Sequence, residues 1–536
     1  MNAVHRLLRS SLGVAFATLL SRLLGLVRVM FEARVLGGGS VAGAWFLAFS
    51  IPNLFRRLLG EGALGTALIP LVTQAENEGG PARVRRELAV VFAALGALLA
   101  LVVVIVSGAA LGLRKCSEIP AVGEAMPLLL TERIQLALTL IPVLMPYAFF
   151  LCLVGVIGAV LNTRRIFFLP ALGALLLNFF LIGGLAWGWR RHLTLDGLPE
   201  FLNTLAVLVL CSGATQLLLM LLLLARSGRF PHWRRGTFGD RSILRRLWHL
   251  VLPGLIGQSA LQVSFLVDRT LAIVLGPQAV PALYNVDRVV DLPIGIFAIA
   301  LGSVLMADMA RSAAEGRFEK LADDLVFSLR HVYFVCVPMG IAVMFFWEPL
   351  IRILCLGNNY TQSDLEATRY VAIFYGAGIP AFCALKVIAP VFYARKQMSV
   401  PLKASLCAIA ANIVLNFCLM WHLRQGGIAL ATVLGSMLNN FLLLRHLHGE
   451  GFELRRGRLA LVFGRSLAFA ILIGGPLYAA YPRLLGLLGN GRFGEFPAFA
   501  AAMAMFGAGY FFLSAVCGAA EPGELLGTLR RRNASA

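Results

Sequence analysis

Uninterrupted apolar runs recur along the whole chain, and they decide its class before any motif is read. Leu88–Leu113 and Leu205–Ala225 are each long enough to cross a hydrocarbon core about 30 Å thick, which takes roughly 20 helical residues. No water completes backbone hydrogen bonds in that medium, so only helices or a closed barrel span it. Runs this long, without apolar–polar alternation, read as helices. Charged residues make up only 14% of the 536 positions, against about 25% in soluble proteins, too few to cover a water-facing surface.

The expected architecture is an all-α polytopic membrane protein of about fourteen transmembrane helices. The spans read 9–31, 41–76, 88–112, 134–161, 167–188, 201–225, 247–275, 281–308, 327–355, 368–393, 402–422, 427–444, 460–481 and 497–518. The second is over-long and charged, so it is expected either to bend or to extend beyond the bilayer. The first thirty residues look like a signal peptide, but Arg22 and Arg28 follow the apolar stretch at once, which reads as a retained first helix.

The net charge of +20 sits mainly in one set of connections. Arg83, Arg85 and Arg86 lie in one of them, Arg164 and Arg165 in the next, and seven arginines in Arg226–Arg246. The alternate connections are poorer, and Gly276–Pro281 and Gly357–Glu366 have no basic residue. The rich set is therefore read as cytoplasmic, and both termini join it if the helix number is even. This distribution accounts for the charge without a nucleic-acid partner. The nine cysteines include no Cys-x-x-Cys pair and read as small core residues, and no histidine set suggests a metal.

Val27–Gly79 and Val267–Gly316 share an order of features: charge, Val-Leu-Gly, a short loop, an arginine-bearing helix, then Glu-Gly. Arg164, Arg165 and Pro170 are echoed by Arg395, Lys396 and Pro401 at the same spacing. Two pseudo-symmetric six-helix halves, 1–230 and 231–450, are implied, with two extra helices and a basic tail in 451–536.

Charges inside the spans cost on the order of 2.5–3.5 kcal/mol each and usually face a cavity. The N-terminal half has Arg22, Arg28, Arg56, Arg57 and Glu61; the C-terminal half has Asp268, Arg269, Asp287, Arg288, Asp291 and Lys386. Arg57 and Glu61 are spaced to pair along a helix, and Asp268 with Arg288, or Asp287 with Arg269, across helices. The cations outnumber the carboxylates, which suits an anionic ligand. Guanidinium grips phosphate oxygens bidentately and keeps its charge when buried.

Several of these segments carry a family resemblance: SRLLGLVR from Ser21 to Arg28, PNLFRRLLGEGA from Pro52 to Ala63, GAVLNT from Gly158 to Thr163, Val267-Asp268-Arg269, Asp287-Arg288, and KVIAPVFY from Lys386 to Tyr393. In family order, over roughly residues 10–450, they resemble the MurJ/MviN family. The resemblance implies a fold of the multidrug/oligosaccharidyl-lipid/polysaccharide exporter superfamily in a bacterial inner membrane. It implies a transporter, not an enzyme, acting as a monomer among membrane lipids. It would flip lipid II, the undecaprenyl-diphosphate-linked peptidoglycan precursor, by alternating access through a cationic cavity. Arg22, Arg28, Arg56 and Arg288 match the family's essential positions, with Asn53, Glu61, Asp287 and Arg269 as supports. The last two helices match its groove for the polyprenyl tail. No resident cofactor is expected; sodium and the membrane potential are the candidate driving forces, and Asn412 and Asn416 are weak sodium candidates.

The chain departs from the family pattern at Val29 and Gly43, where relatives are acidic, and at Ser50, where they have lysine. Four alternatives remain open: an exporter of another undecaprenyl-linked glycan, a drug or cation antiporter of the same superfamily, a membrane enzyme of lipid-linked sugars, and a regulatory scaffold that has lost transport. The antiporter wants an acidic cavity, and the enzyme needs an acid/base or metal cluster that no motif supplies.

Overall fold

The structure is a computed structural model. It describes residues 20–60, 63–120, 127–164, 166, 168–193, 197–232, 241–295, 312, 315–357, 359–395, 397–489 and 494–524. Every regular element among them is helical: α1 (20–36), α2 (Ser40–Phe55), α3 (Ala63–Ser117), α4 (Glu132–Asn162), α5 (Phe168–Arg190), α6 (Leu198–Arg226), α7 (Arg241–Leu275), α8 (Ala279–Pro293), α9 (Phe318–Phe345), α10 (Trp347–Cys355), α11 (Gln362–Ala394), α12 (Ser399–Leu423), α13 (Gln425–Gly449), α14 (Arg456–Leu488) and α15 (Glu495–Val516). Among the described residues nine helices are long and apolar enough to cross a membrane. Outward-facing side chains agree with that. Leu101, Val104 and Ile105 on α3, Val414, Phe417 and Trp421 on α12, and Leu472 and Phe512 on α14 and α15 are exposed. Apolar surface on that scale is stable against lipid rather than water.

The chain groups into two compact units, Met1–Pro281 with Gly357–Thr361, and Ala282–Leu356 with Gln362–Ala536. In the first, α3, α4 and α6 pack through Leu88, Val91, Leu95, Val156, Ile157, Val160, Met220 and Leu224. In the second, α9 meets α11 where a Cβ on Gly340 would collide with the Gly376 carbonyl, so small residues let two backbones touch. Helices α14 and α15 then cover α9 through Phe334, Ile341, Ala470, Phe506 and Tyr510.

The over-long second span is bent. Pro52 removes a ladder hydrogen bond near the end of α2, and the chain continues as a π-helical turn, Arg56–Gly60, before α3 begins. Two other boundaries differ from the expectation. Arg83, Arg85 and Arg86 lie on helix rather than in a loop, because the break is at Gly80 (φ 60°), with Pro81 opening the next helical stretch. The span read as 327–355 is two helices, parted at the buried Phe346. Cys152, Cys336, Cys355 and Cys383 are buried, but Cys116, Cys211, Cys407, Cys418 and Cys517 are exposed. Apolar neighbours in sequence mean core in water; in a membrane they equally mean a lipid-facing surface.

Two ion-pair clusters tie the second unit together. After α15 a helical turn at 520–524 brings in Glu521, 1% exposed. One of its oxygens accepts Arg330 Nε at 3.1 Å and Nη2 at 2.7 Å, and the other accepts Arg465 Nη2 at 2.5 Å. Three helical elements thus close on one carboxylate. Just beyond α13, Glu450 accepts from Arg395 and from Gln397 Nε2 (3.1 Å).

Burial works against the Glu450 charge, but the hydrogen bonds from Arg395 and Gln397 and the charges of Arg395 and His446 outweigh it, so its pKa is lowered. A lowered folded-state pKa gives stability that is present above the unfolded value and lost as pH falls through the folded one. Glu450→Gln should therefore cost about 1 kcal/mol at pH 7. The difference from wild type should shrink as pH drops below the ordinary 4.5, in thermal melts of the detergent-purified protein.

Candidate functional site

The arginines singled out in the sequence lie where helices are interrupted or cross. In the first unit, Arg28 of α1 is 7% exposed. Its Nη1 donates to Asn178 Oδ1 of α5 at 3.2 Å, and its Nε lies 3.5 Å from Glu32, one turn on and fully buried. Glu32 also accepts Trp45 Nε1 of α2 at 3.4 Å, and Asn178 Nδ2 donates to the Ser21 carbonyl beside Arg22 at 3.2 Å. A buried polar chain therefore links α5, α1 and α2, with Arg28 in its middle and Arg22, half-buried, next to it. Sequence reading missed Glu32 and Asn178. The signal for Glu32 was available, four residues after Arg28, had the first span been drawn longer.

The interrupted end of α2 positions a second group. Asn53 Nδ2 donates to the Phe49 carbonyl at 3.2 Å, and its Oδ1 accepts Arg56 Nε at 3.1 Å. Arg57, in the same π turn, lies 5.3 Å from the Phe265 ring of α7. Arg269, one turn after Phe265, lies 4.8 Å from that same ring and donates to the Val280 carbonyl at 3.1 Å. Two guanidiniums thus lie against one aromatic ring, whose quadrupole attracts cations. Phe265 was not foreseen. Glu61 lies outside the described residues.

In the second unit, Arg288 of α8 is held over Tyr284 at 5.1 Å, with Nη1 3.4 Å from Asp291. Asp287 beside it is half-buried. Lys386 is exposed on α11. Asn416 Nδ2 donates to Asn412 Oδ1 at 3.2 Å, and Asn412 Nδ2 to Thr432 Oγ1 at 3.3 Å. Asn412 Oδ1 thus accepts from Asn416 one turn on, and among the described residues no three His, Cys, Asp or Glu side chains gather to hold a metal ion.

At the positions of departure, Val29 is buried, Ser50 turns its hydroxyl onto the Leu47 carbonyl at 2.6 Å, and Gly43 lies beneath the side chain of Arg133. An acidic side chain at Val29 would be a second buried carboxylate near Glu32, a cost this chain avoids.

The family model described as lipid II flippase MurJ matches residues 32–489. A probable lipid II flippase MurJ of Vibrio cholerae serotype O1 is 30% identical over 480 residues, covering 88% of this chain and 89% of the relative. A solved lipid II flippase MurJ in an inward closed conformation superposes with a TM-score of 0.74 at 20% identity, over 94% of this chain and 98% of that one. An inward-facing multidrug resistance MATE family transporter reaches 0.60 at 16% identity, over 84% and 98%. The two structural likenesses establish the fold, and the sequence matches go further: this chain is a member of the MurJ lipid II flippase family.

Proposed function

We propose that this protein carries lipid II across the bacterial inner membrane by alternating access, its arginines holding the diphosphate while the polyprenyl tail stays in lipid. The observation that carries this reading is the set of permanently charged side chains on interrupted or buried helix segments, with Arg28 and Arg269 both buried, in a chain of this family. A diphosphate crossing a hydrocarbon core loses its water, and guanidinium donors replace that hydration without losing their own charge. Arg22, Arg28, Arg56 and Arg269 are the ligands of the first unit. In the second unit Arg288, oriented by Tyr284 and Asp291, is a further candidate cation taken by itself. Asn53 orients Arg56.

All these groups come from one chain, so a monomer suffices. The basic connections and both termini face the cytoplasm. Moving net charge through the field changes its energy by about 2.3 kcal/mol per charge per 100 mV, so the membrane potential biases the cycle.

The test is lipid II exposure in cells depleted of their own flippase, read by an externally added enzyme that cleaves only periplasmic lipid II. Wild type should restore cleavage. Arg269→Ala and Arg288→Ala should each lower it by about 10- to 100-fold, the worth of a charged hydrogen bond, at unchanged membrane levels. Full cleavage with both variants would rule out these cations as ligands. No cleavage with wild type at normal levels would point to a different undecaprenyl-linked glycan.

A further inference from the structure

Arg133 is a buried arginine outside the set above. It is the second residue of α4 and only 4% exposed. Its Nη1 donates to the Gly276 carbonyl and its Nη2 to the Ile273 carbonyl at 2.5 Å. These oxygens stand at the end of α7, where helical carbonyls lack partners of their own and the helix dipole is negative. A planar fork of donors suits two adjacent carbonyls as an ammonium does not.

The surroundings are shaped around this grip. Gly276 has φ 130°, a conformation that glycine alone adopts at low cost, and its carbonyl also meets the Ala279 N–H at 3.4 Å. Gly43 of α2 leaves a gap for the arginine stem. A Cβ there would lie 2.9 Å from Arg133 Cδ and 3.2 Å from the Pro277 carbonyl oxygen. The departure from the family pattern at Gly43 and the seat of Arg133 are thus the same feature.

The gripped turn continues to Val280, whose carbonyl accepts Arg269 Nη1 at 3.1 Å. Arg133 and Arg269 hold the two ends of one short turn, and both contacts lie within the first unit. We infer that Arg133 is a positioning residue for Arg269: by fixing the 276–280 turn it holds the Val280 carbonyl that orients the Arg269 guanidinium over Phe265. This inference rests on Arg269 being a phosphate ligand. A guanidinium already ordered has less freedom to lose when the anion binds, so the turn contributes to affinity without touching substrate.

The experiment measures lipid II binding to the purified full-length protein in detergent, with hydrogen–deuterium exchange over residues 273–281 read in parallel. The variants are Arg133→Ala, Arg133→Lys, Arg269→Ala and the double alanine. Arg133→Ala should speed exchange in the turn and weaken binding about tenfold, with Arg133→Lys between it and wild type. The double variant should bind no more weakly than Arg269→Ala alone, because the first residue acts through the second. Losses that multiply in the double variant, or wild-type binding by Arg133→Ala, would overturn the inference. If Arg269→Ala binds as tightly as wild type, the ligand role of Arg269 has failed instead, and exchange in the turn still reports on the anchor alone. Should Arg133→Ala not fold, Gly43→Ala pushes on the same stem. It should give the same faster exchange and the same non-additivity with Arg269→Ala, and its failure to do so would overturn the inference equally.

Discussion

Arg28→Ala should abolish lipid II exposure and also lower the amount of folded protein, and the two losses should be separable. Arg28 and Glu32 are both buried and lie 3.5 Å apart. Removing one partner of a buried ion pair typically costs about 3–5 kcal/mol, because the other charge keeps its desolvation penalty. That is a large part of a typical domain's stability. Neutralising the carboxylate at the same time removes most of the penalty, so Arg28→Ala/Glu32→Gln should return to near wild-type levels in the membrane. Its flipping should not return, since the cation is still missing. Arg28→Lys keeps the charge but loses the fork, and should fall between. The checks are membrane abundance, melting temperature and periplasmic cleavage of lipid II on the same set of variants. Wild-type flipping by the double variant would reduce Arg28 to a structural role.

The second large effect is expected at a carboxylate outside the proposed ligand set. Glu521→Ala leaves Arg330 and Arg465 without the carboxylate both now share, and Arg330 is 5% exposed. The expected cost is again about 3–5 kcal/mol. Glu521→Gln, which still accepts hydrogen bonds, should cost less. Protein levels and melting temperature should drop, while flipping per folded molecule changes little. A variant that melts like wild type would show that the three side chains are held by packing alone.

How far the sequence foretold this depends on the range of the interaction. Helix class and most span ends were legible because hydrophobic length is a local property; α4 differs from its expected span by only a few residues. The bend after α2 was legible from Pro52. The break at Phe346 was missed, although Pro349 in the first turn of α10 is a helix-start signal. At the candidate site, residue types and their spacing singled out Arg22, Arg28, Arg56, Arg269 and Arg288. Their partners were visible only where they were near in sequence. Asn178 is 150 residues from Arg28, and Phe265 joins Arg57 to Arg269 across helices. Charge counting also treated Arg28 as surplus positive charge, when Glu32 beside it takes up part of that surplus. The seat of Arg133 was hidden for another reason: Gly43 stood out as a departure, but the backbone carbonyls that Arg133 grips leave no pattern in the sequence.

The carboxylate clamp at Glu521 has a consequence for biosynthesis. Arg330 and Glu521 are separated by 191 positions, so a growing chain inserts the arginine long before its partner exists. At 5–20 residues per second the interval is about 10–40 s. Through that time α9 must keep its guanidinium solvated by headgroups or water, and α14 does the same with Arg465 for a shorter one. Helices α9 and α14 therefore cannot close on this carboxylate until Glu521 has been made. A ribosome stalled just short of Glu521 would hold a chain with this corner still open.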